Sequence, residues 1–182
     1  GNDSIEAFEV TAAYDDSVSS VEIIDPRGLA VVDGVSPPTP YCTGKASSSG
    51  CVAILTTSAP GVPPVSGGND YSLVMNLGEG LRPGIFFGST MGTATIPFNG
   101  GLLCVRPPLK RSGVLFTGGT AGQCNGSFQR LINDGILFPP PLPGGMDAGP
   151  GGTSWYQAWY RDPQLMDGFD SAMSSAVQLN WL

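Results

Sequence analysis

The chain has 182 residues, 41% of them hydrophobic and only 13% charged, with a net charge of -7 and no histidine. The absence of histidine removes the usual general base, the nucleophilic triads that depend on it, and most haem and zinc ligation. Gly (27) and Pro (17) make up about a quarter of the chain, roughly twice the ordinary share, yet the apolar content is too high for disorder and falls in short runs between turn signals, the pattern of an all-β fold.

Charge is unevenly placed along the chain. Residues 1–33 carry eight acids (Asp3, Glu6, Glu9, Asp15, Asp16, Glu22, Asp25 and Asp33) against Arg27 alone, so the remainder is neutral. This step predicts an acidic amino-terminal arm over residues 1–35 and a separate module over 36–182. No basic excess is left to neutralise phosphates, which argues against nucleic acid as a partner. In the arm Phe8, Val10, Ala12 and Tyr14 alternate with Glu9 and Thr11, and VEIIDPRGLAVV (21–32) reads as a hairpin about an Asp-Pro-Arg-Gly turn of type I. Val21 and Ile23 share a face that has to be covered, either by the same domain or by a neighbouring subunit, so Phe8, Val10, Tyr14, Val21 and Ile23 are candidate assembly contacts.

SPPTP (36–40) predicts a stiff extended linker. A Ser-rich loop over 43–50 follows; CVAILTT (51–57) then reads as a buried strand, and DYSLVMNL (70–77) as a half-buried one with Tyr71, Leu73, Met75 and Leu77 on one face. GIFFGS (84–89) is another strand, and TATIPF and LLCV flank Asn99-Gly100-Gly101 as a hairpin. Residues 139–152, ten of them Gly or Pro, predict an exposed loop. SWYQAWYRD (154–162) places Trp155 and Trp159 on one face and Tyr156 and Tyr160 on the other, so both faces are expected to be covered. Residues 164–175 hold no helical period and read as loop, leaving SAVQLNWL (175–182) as the last strand. The sum is an antiparallel β-sandwich of about nine to eleven short strands with long Gly/Pro-rich loops, preceded by an acidic β-arm. There is no signal-peptide pattern and no apolar run near about 18 residues, as expected of a mature or trimmed chain that does not span a membrane.

Cys42, Cys51, Cys104 and Cys124 lack metal-ligand spacing and predict two structural disulfides, hence an oxidising compartment. Three pairings are open; the local one, Cys42 with Cys51 and Cys104 with Cys124, closes the shortest loops, at about 3 kcal/mol each.

Chemistry-bearing residues are few. Thr90 in GSTMG (88–92) stands where a nucleophile elbow holds Ser, but between β signals, so no catalytic residue is assigned. Outside the arm most acids, among them Glu79 and Asp162, lie near Gly or Pro and read as solvated turn residues. No cofactor is expected; calcium is the single candidate, through Asp162, Asp167 and Asp170 in one loop or Asp15-Asp16 in another, although neither follows DxDxDG spacing. Arg106, Lys110 and Arg111 read as a solvated strand edge, or as partners for the acidic arm, ahead of an anion site. Trp155, Tyr156, Trp159 and Tyr160 suit either sugar stacking or a core, and aromatic residues on both faces favour the core. Asn125-Gly126-Ser127 matches a glycosylation sequon, a weak signal alone.

YCTGKASSSGC (41–51), GIFFGS (84–89), PFNGGLLCVRPPLKRSG (97–113), GQCNGSF (122–128) and WYQAWYRDP (155–163) resemble, in order and spacing, a secreted module of Planctomycetes and other environmental bacteria. That module usually sits at the carboxyl end of large exported proteins, and it has no assigned activity. The resemblance covers about residues 41–182 and implies the pairing Cys42 with Cys51 and Cys104 with Cys124. The expected function is a non-enzymatic structural or assembly module, extracellular or at the cell surface. It would be a subunit of an array or filament joined through its arm, with itself or another surface protein as partner. The alternative is a carbohydrate-binding accessory module of a secreted hydrolase, with a glycan as partner.

Overall fold

The computed structural model describes residues 37–58, 71–132 and 151–181, and the backbone of 23–25 and 28–30. The chain divides into units of residues 1–34 and 35–182. In the first, β1 (Ile23–Asp25) pairs antiparallel with β2 (Gly28–Ala30), Asp25 opposite Gly28, so the expected hairpin is present with Pro26 and Arg27 between its strands. Phe8, Val10, Tyr14, Val21 and the side chain of Ile23 lie outside the described residues, as does most of the loop expected over 139–152.

All other elements belong to the second unit, and no helix occurs among the described residues, so none is available to cross a membrane. Its centre is β12 (Thr153–Arg161), which pairs with β6 (Pro83–Ser89) on one side and β13 (Ser171–Asn180) on the other, both antiparallel. At one edge of this sheet, β3 (Thr39–Tyr41) lies beside β13. At the other, β9 (Lys110–Arg111) and β10 (Leu115–Phe116) lie in succession along β6. Ser112 bridges those two, its N–H donating to Phe86 O and its Oγ accepting from Phe86 N, each at 2.9 Å. A second sheet orders β11 (Gly126–Leu131), β5 (Ser72–Gly78) and β4 (Ile54–Thr57), and β7 (Thr93–Phe98) with β8 (Gly101–Val105) forms a separate hairpin. At the hairpin turn Asn99 and Gly100 have φ of 47° and 72°, the two left-handed residues that a type I′ turn requires.

Period-two alternation explains the layering. Phe86, Tyr156, Tyr160, Val177 and Leu179 of the large sheet meet Leu55, Leu73, Met75 and Phe128 of the small one, each burial contributing about 1.5 to 3 kcal/mol. Phe86 and Phe128 pack edge to face with centroids 4.8 Å apart. On the opposite face, Phe87, Met173, Trp155 and Trp159 pack against Leu103 and Val105 of β8. Both faces of β12 are thus covered, as its aromatic residues require. Tyr156 and Tyr160 lie beside Gly88 and Gly84 of β6, where a Cβ at Gly88 would fall 2.8 Å from the Trp155 carbonyl and against the Tyr156 ring.

Four local expectations need correction. The strand from CVAILTT is half-buried, with Val52 44% and Ile54 39% exposed and Leu55 buried, because only one side of the small sheet faces the core. Leu77 leaves the core face: it is 52% exposed with φ of 58°, at a register shift between β5 and β11. SPPTP runs into the edge strand β3, where Pro40 opposite Val177 is tolerated because an edge strand needs only half its N–H groups. The last strand begins at Ser171, inside the stretch read as loop. Gln157 faces Ala176 while Trp159 faces Met173, an extra residue in β13, and Ser174 Oγ accepts from Ala158 N at 2.9 Å. Across this bulge the core-facing residues pass from Ala172 to Val177, so no single period runs through the strand.

Candidate functional site

All four cysteines are oxidised, but the bridges join Cys42 to Cys104 and Cys51 to Cys124, with Cα separations of 6.3 and 5.2 Å. This corrects the local pairing. Cys42 ends the edge strand β3 and meets β8, where the Tyr41 hydroxyl also donates to Cys104 O at 3.0 Å. The chain then turns, Gly50 N donating to Ser47 O and Ser47 N to Cys51 O, each at 2.9 Å. Cys51 consequently lies ahead of β4, against the turn that precedes β11. Loop closure ranks costs in the unfolded chain, whereas in the folded one the stacked layers decide which sulfurs meet.

A buried ion cluster lies beside this turn. Glu79 and Asp162 are both fully buried, which corrects their reading as solvated turn residues. Arg82, between them, donates from Nε to Glu79 Oε1 at 3.1 Å and pairs with the same oxygen through Nη2, which also lies 3.4 Å from Asp162 Oδ1. Nη2 donates further to Gln164 Oε1 at 2.8 Å. The Ser48 hydroxyl reaches Glu79 Oε2 (3.2 Å) and Asp162 Oδ1 (3.0 Å), and its N–H donates to Asp162 Oδ2. Thr117 Oγ1 donates to Glu79 O and accepts from Arg82 N, both at 2.8 Å. Burial acts to raise the Glu79 carboxyl, but Arg82 and the Ser47 and Ser48 hydroxyls outweigh it and hold the group below its ordinary value. Four loops are fastened together here, and neither carboxylate is free to react.

The calcium candidates do not converge. Asp162 is turned inward to Arg82, whereas Asp167 pairs with Lys45, which with the Phe169 N–H holds the Asp167 carboxyl below its usual range. No cluster of three or more metal-ligating side chains occurs among the described residues, and Asp15-Asp16 lies outside them. Thr90 occupies a turn in which Ser89 Oγ accepts from Met91 N at 3.0 Å, with no helix behind it. Asn125 is exposed in a turn, its Oδ1 accepting from Thr120 N at 2.8 Å.

Next to the ion cluster, the Tyr160 hydroxyl is buried without a hydrogen-bond partner, beside Ser47 and the Glu79 main chain but outside bonding geometry. Burial pushes this phenol up to about 12. Tyr160→Phe is therefore expected to leave stability unchanged or raise it by up to about 1 kcal/mol. Urea melts would check this; a loss above about 1 kcal/mol would mean that the hydroxyl has a partner after all.

The outer face of the large sheet carries a recess. Gln157, fully buried in β12, accepts from Cys104 N at 3.0 Å and donates to Leu102 O at 3.1 Å and Ser174 O at 3.0 Å, a side-chain amide standing in for a neighbouring strand. Lys45 donates to Asn99 O at the hairpin tip while paired with Asp167. The hairpin so held leaves a cavity of about 210 Å³, its floor Ile85, Phe87, Leu103 and Trp159 and its mouth Phe98 and Arg111. A smaller hollow of about 130 Å³ shares Ile85 and Trp159 and is bordered by Val114 and Arg161. The Trp159 indole N–H is buried without an acceptor.

Among the predicted aromatic residues, Tyr156 and Tyr160 are core, Trp155 is half-buried with its N–H on Gln178 at 3.2 Å, and Trp159 lines the recess, where the predicted Arg111 joins it. Lys110 and Arg111 form the edge strand β9, and Arg106 is exposed just before it. Arg82, Gln157, Ser48 and Lys45 went unmarked in the sequence; Glu79 and Arg82 at i, i+3 around a glycine offered the only local hint. No protein family, curated protein or solved structure matches this chain.

Proposed function

We propose that this chain is an exported, non-enzymatic structural module that assembles through residues 1–35 onto a neighbouring copy. The observation that carries the reading is the way its loops are fastened. Two disulfides span 62 and 73 residues, and Glu79, Asp162 and Asp167 are each committed to an internal cation. Such a body suits durability outside the cell, since disulfides persist in oxidising compartments. The resemblance to a secreted planctomycete module points to the same location, extracellular or at the cell surface. Full-length chain is expected to associate and a chain lacking residues 1–35 to stay monomeric in sedimentation velocity; the same state for both would end the idea. The alternative, a glycan-binding accessory module, is supported by Trp159 in the outer recess. Glycan pull-down lost in Trp159→Ala with the fold intact would favour it.

A further inference from the structure

Charge of opposite sign lies in two parts of the sequence. Residues 1–33 carry eight acids and one base. In the module Lys45 and Arg82 are neutralised by internal ion pairs, whereas Arg106, Lys110, Arg111 and Arg161 form none among the described residues. Arg111 and Arg161 line the two hollows of the outer recess, and Lys110 precedes Arg111 in β9. The rim also exposes apolar side chains to solvent, with Phe98 39% and Val114 66% exposed.

We propose that this recess is the acceptor for the acidic segment 1–33 of a second copy of the chain, a surface that rests on the assembly reading above. The segment alternates Phe8, Val10, Ala12 and Tyr14 with Glu9 and Thr11. Apolar side chains at every second position suit the floor of Ile85, Phe87 and Trp159, and the acids in and beside that run, Glu6, Glu9, Asp15 and Asp16, suit a basic rim. An arriving carboxylate or carbonyl would also give the Trp159 N–H the acceptor it lacks. A neutral sugar would leave Arg111 and Arg161 unanswered, and Trp159 is too covered by the β7–β8 hairpin to offer a whole ring face.

The test uses full-length chain, half of it isotope-labelled, treated with a zero-length carbodiimide that joins a lysine amine to a carboxylate. The expected product links Lys110 to an acid of residues 1–33 across the two isotopes. Links within one isotope only, or no link to Lys110, would overturn the proposal. In parallel, full-length Arg111→Glu/Arg161→Glu, shown to be folded by circular dichroism, is expected to associate at least about tenfold more weakly, and wild-type association to weaken as salt rises. Undiminished association of the double variant would reject this surface and leave the assembly reading standing. A wild-type chain that is monomeric at every concentration would reject both, and a glycan held by the recess and lost in Trp159→Ala would assign it to a different occupant and reject the proposal.

Discussion

Replacing Arg82 with alanine is expected to destabilise the folded module by about 3 to 5 kcal/mol at neutral pH, because it leaves Glu79 and Asp162 buried without their cation. Ser48 and Thr117 would remain as hydrogen-bond donors but carry no charge to oppose the carboxylates. The effect should depend on pH with a definite sign. In the wild type the Glu79 carboxyl is held below its ordinary value of 4.5, so its contribution is fully present above that pH and is lost as the pH falls through the lower folded value. In Arg82→Ala burial acts on Glu79 with less opposition and its carboxyl moves upward, so protonation relieves the variant in acid while weakening the wild type. Urea melts at pH 7 and pH 4 should therefore show the gap between the two proteins narrowing. A gap that is constant or widens would mean that Arg82 acts by packing alone.

Loss of either disulfide should be comparably severe. Closing loops of 62 and 73 residues removes about 4 kcal/mol each of unfolded-chain entropy, more than the local bridges would have removed. Cys51→Ala with Cys124→Ser is expected to lower stability by about that amount and to free the turn over 47–50 from the loop before β11. Cys42→Ala with Cys104→Ser should loosen the β7–β8 hairpin, although Gln157 and Tyr41 would still bind the backbone of β8. The connectivity itself is directly testable. Lys45 separates Cys42 from Cys51, Glu79 separates Cys51 from Cys104, and Lys110 and Arg111 separate Cys104 from Cys124, so digestion with trypsin and a glutamyl endopeptidase together, needed because Arg82 and Arg106 each precede a proline that blocks trypsin, places each cysteine in its own peptide. Non-reducing mass spectrometry should find the Cys42 peptide joined to the Cys104 peptide; Cys42 joined to Cys51 would refute the arrangement.

The amino-acid order alone determined whatever depends on neighbours two to four positions apart. The alternation in residues 154–162 anticipated a strand covered on both faces, Asn99-Gly100 marked a tight primed turn, and the spacing of apolar runs by Gly and Pro marked an all-β chain. These properties arise from backbone sterics and side-chain period, which act locally. Only the tertiary structure decided which cysteines meet, that Arg82 draws Glu79 and Asp162 inside, and that Gln157 holds the outer hairpin. The residues concerned come from distant parts of the chain, and which of them become neighbours follows from how the layers stack; the bulge in β13, with Ser174 in the ladder, hid even a strand boundary because it breaks the period by which strands are read.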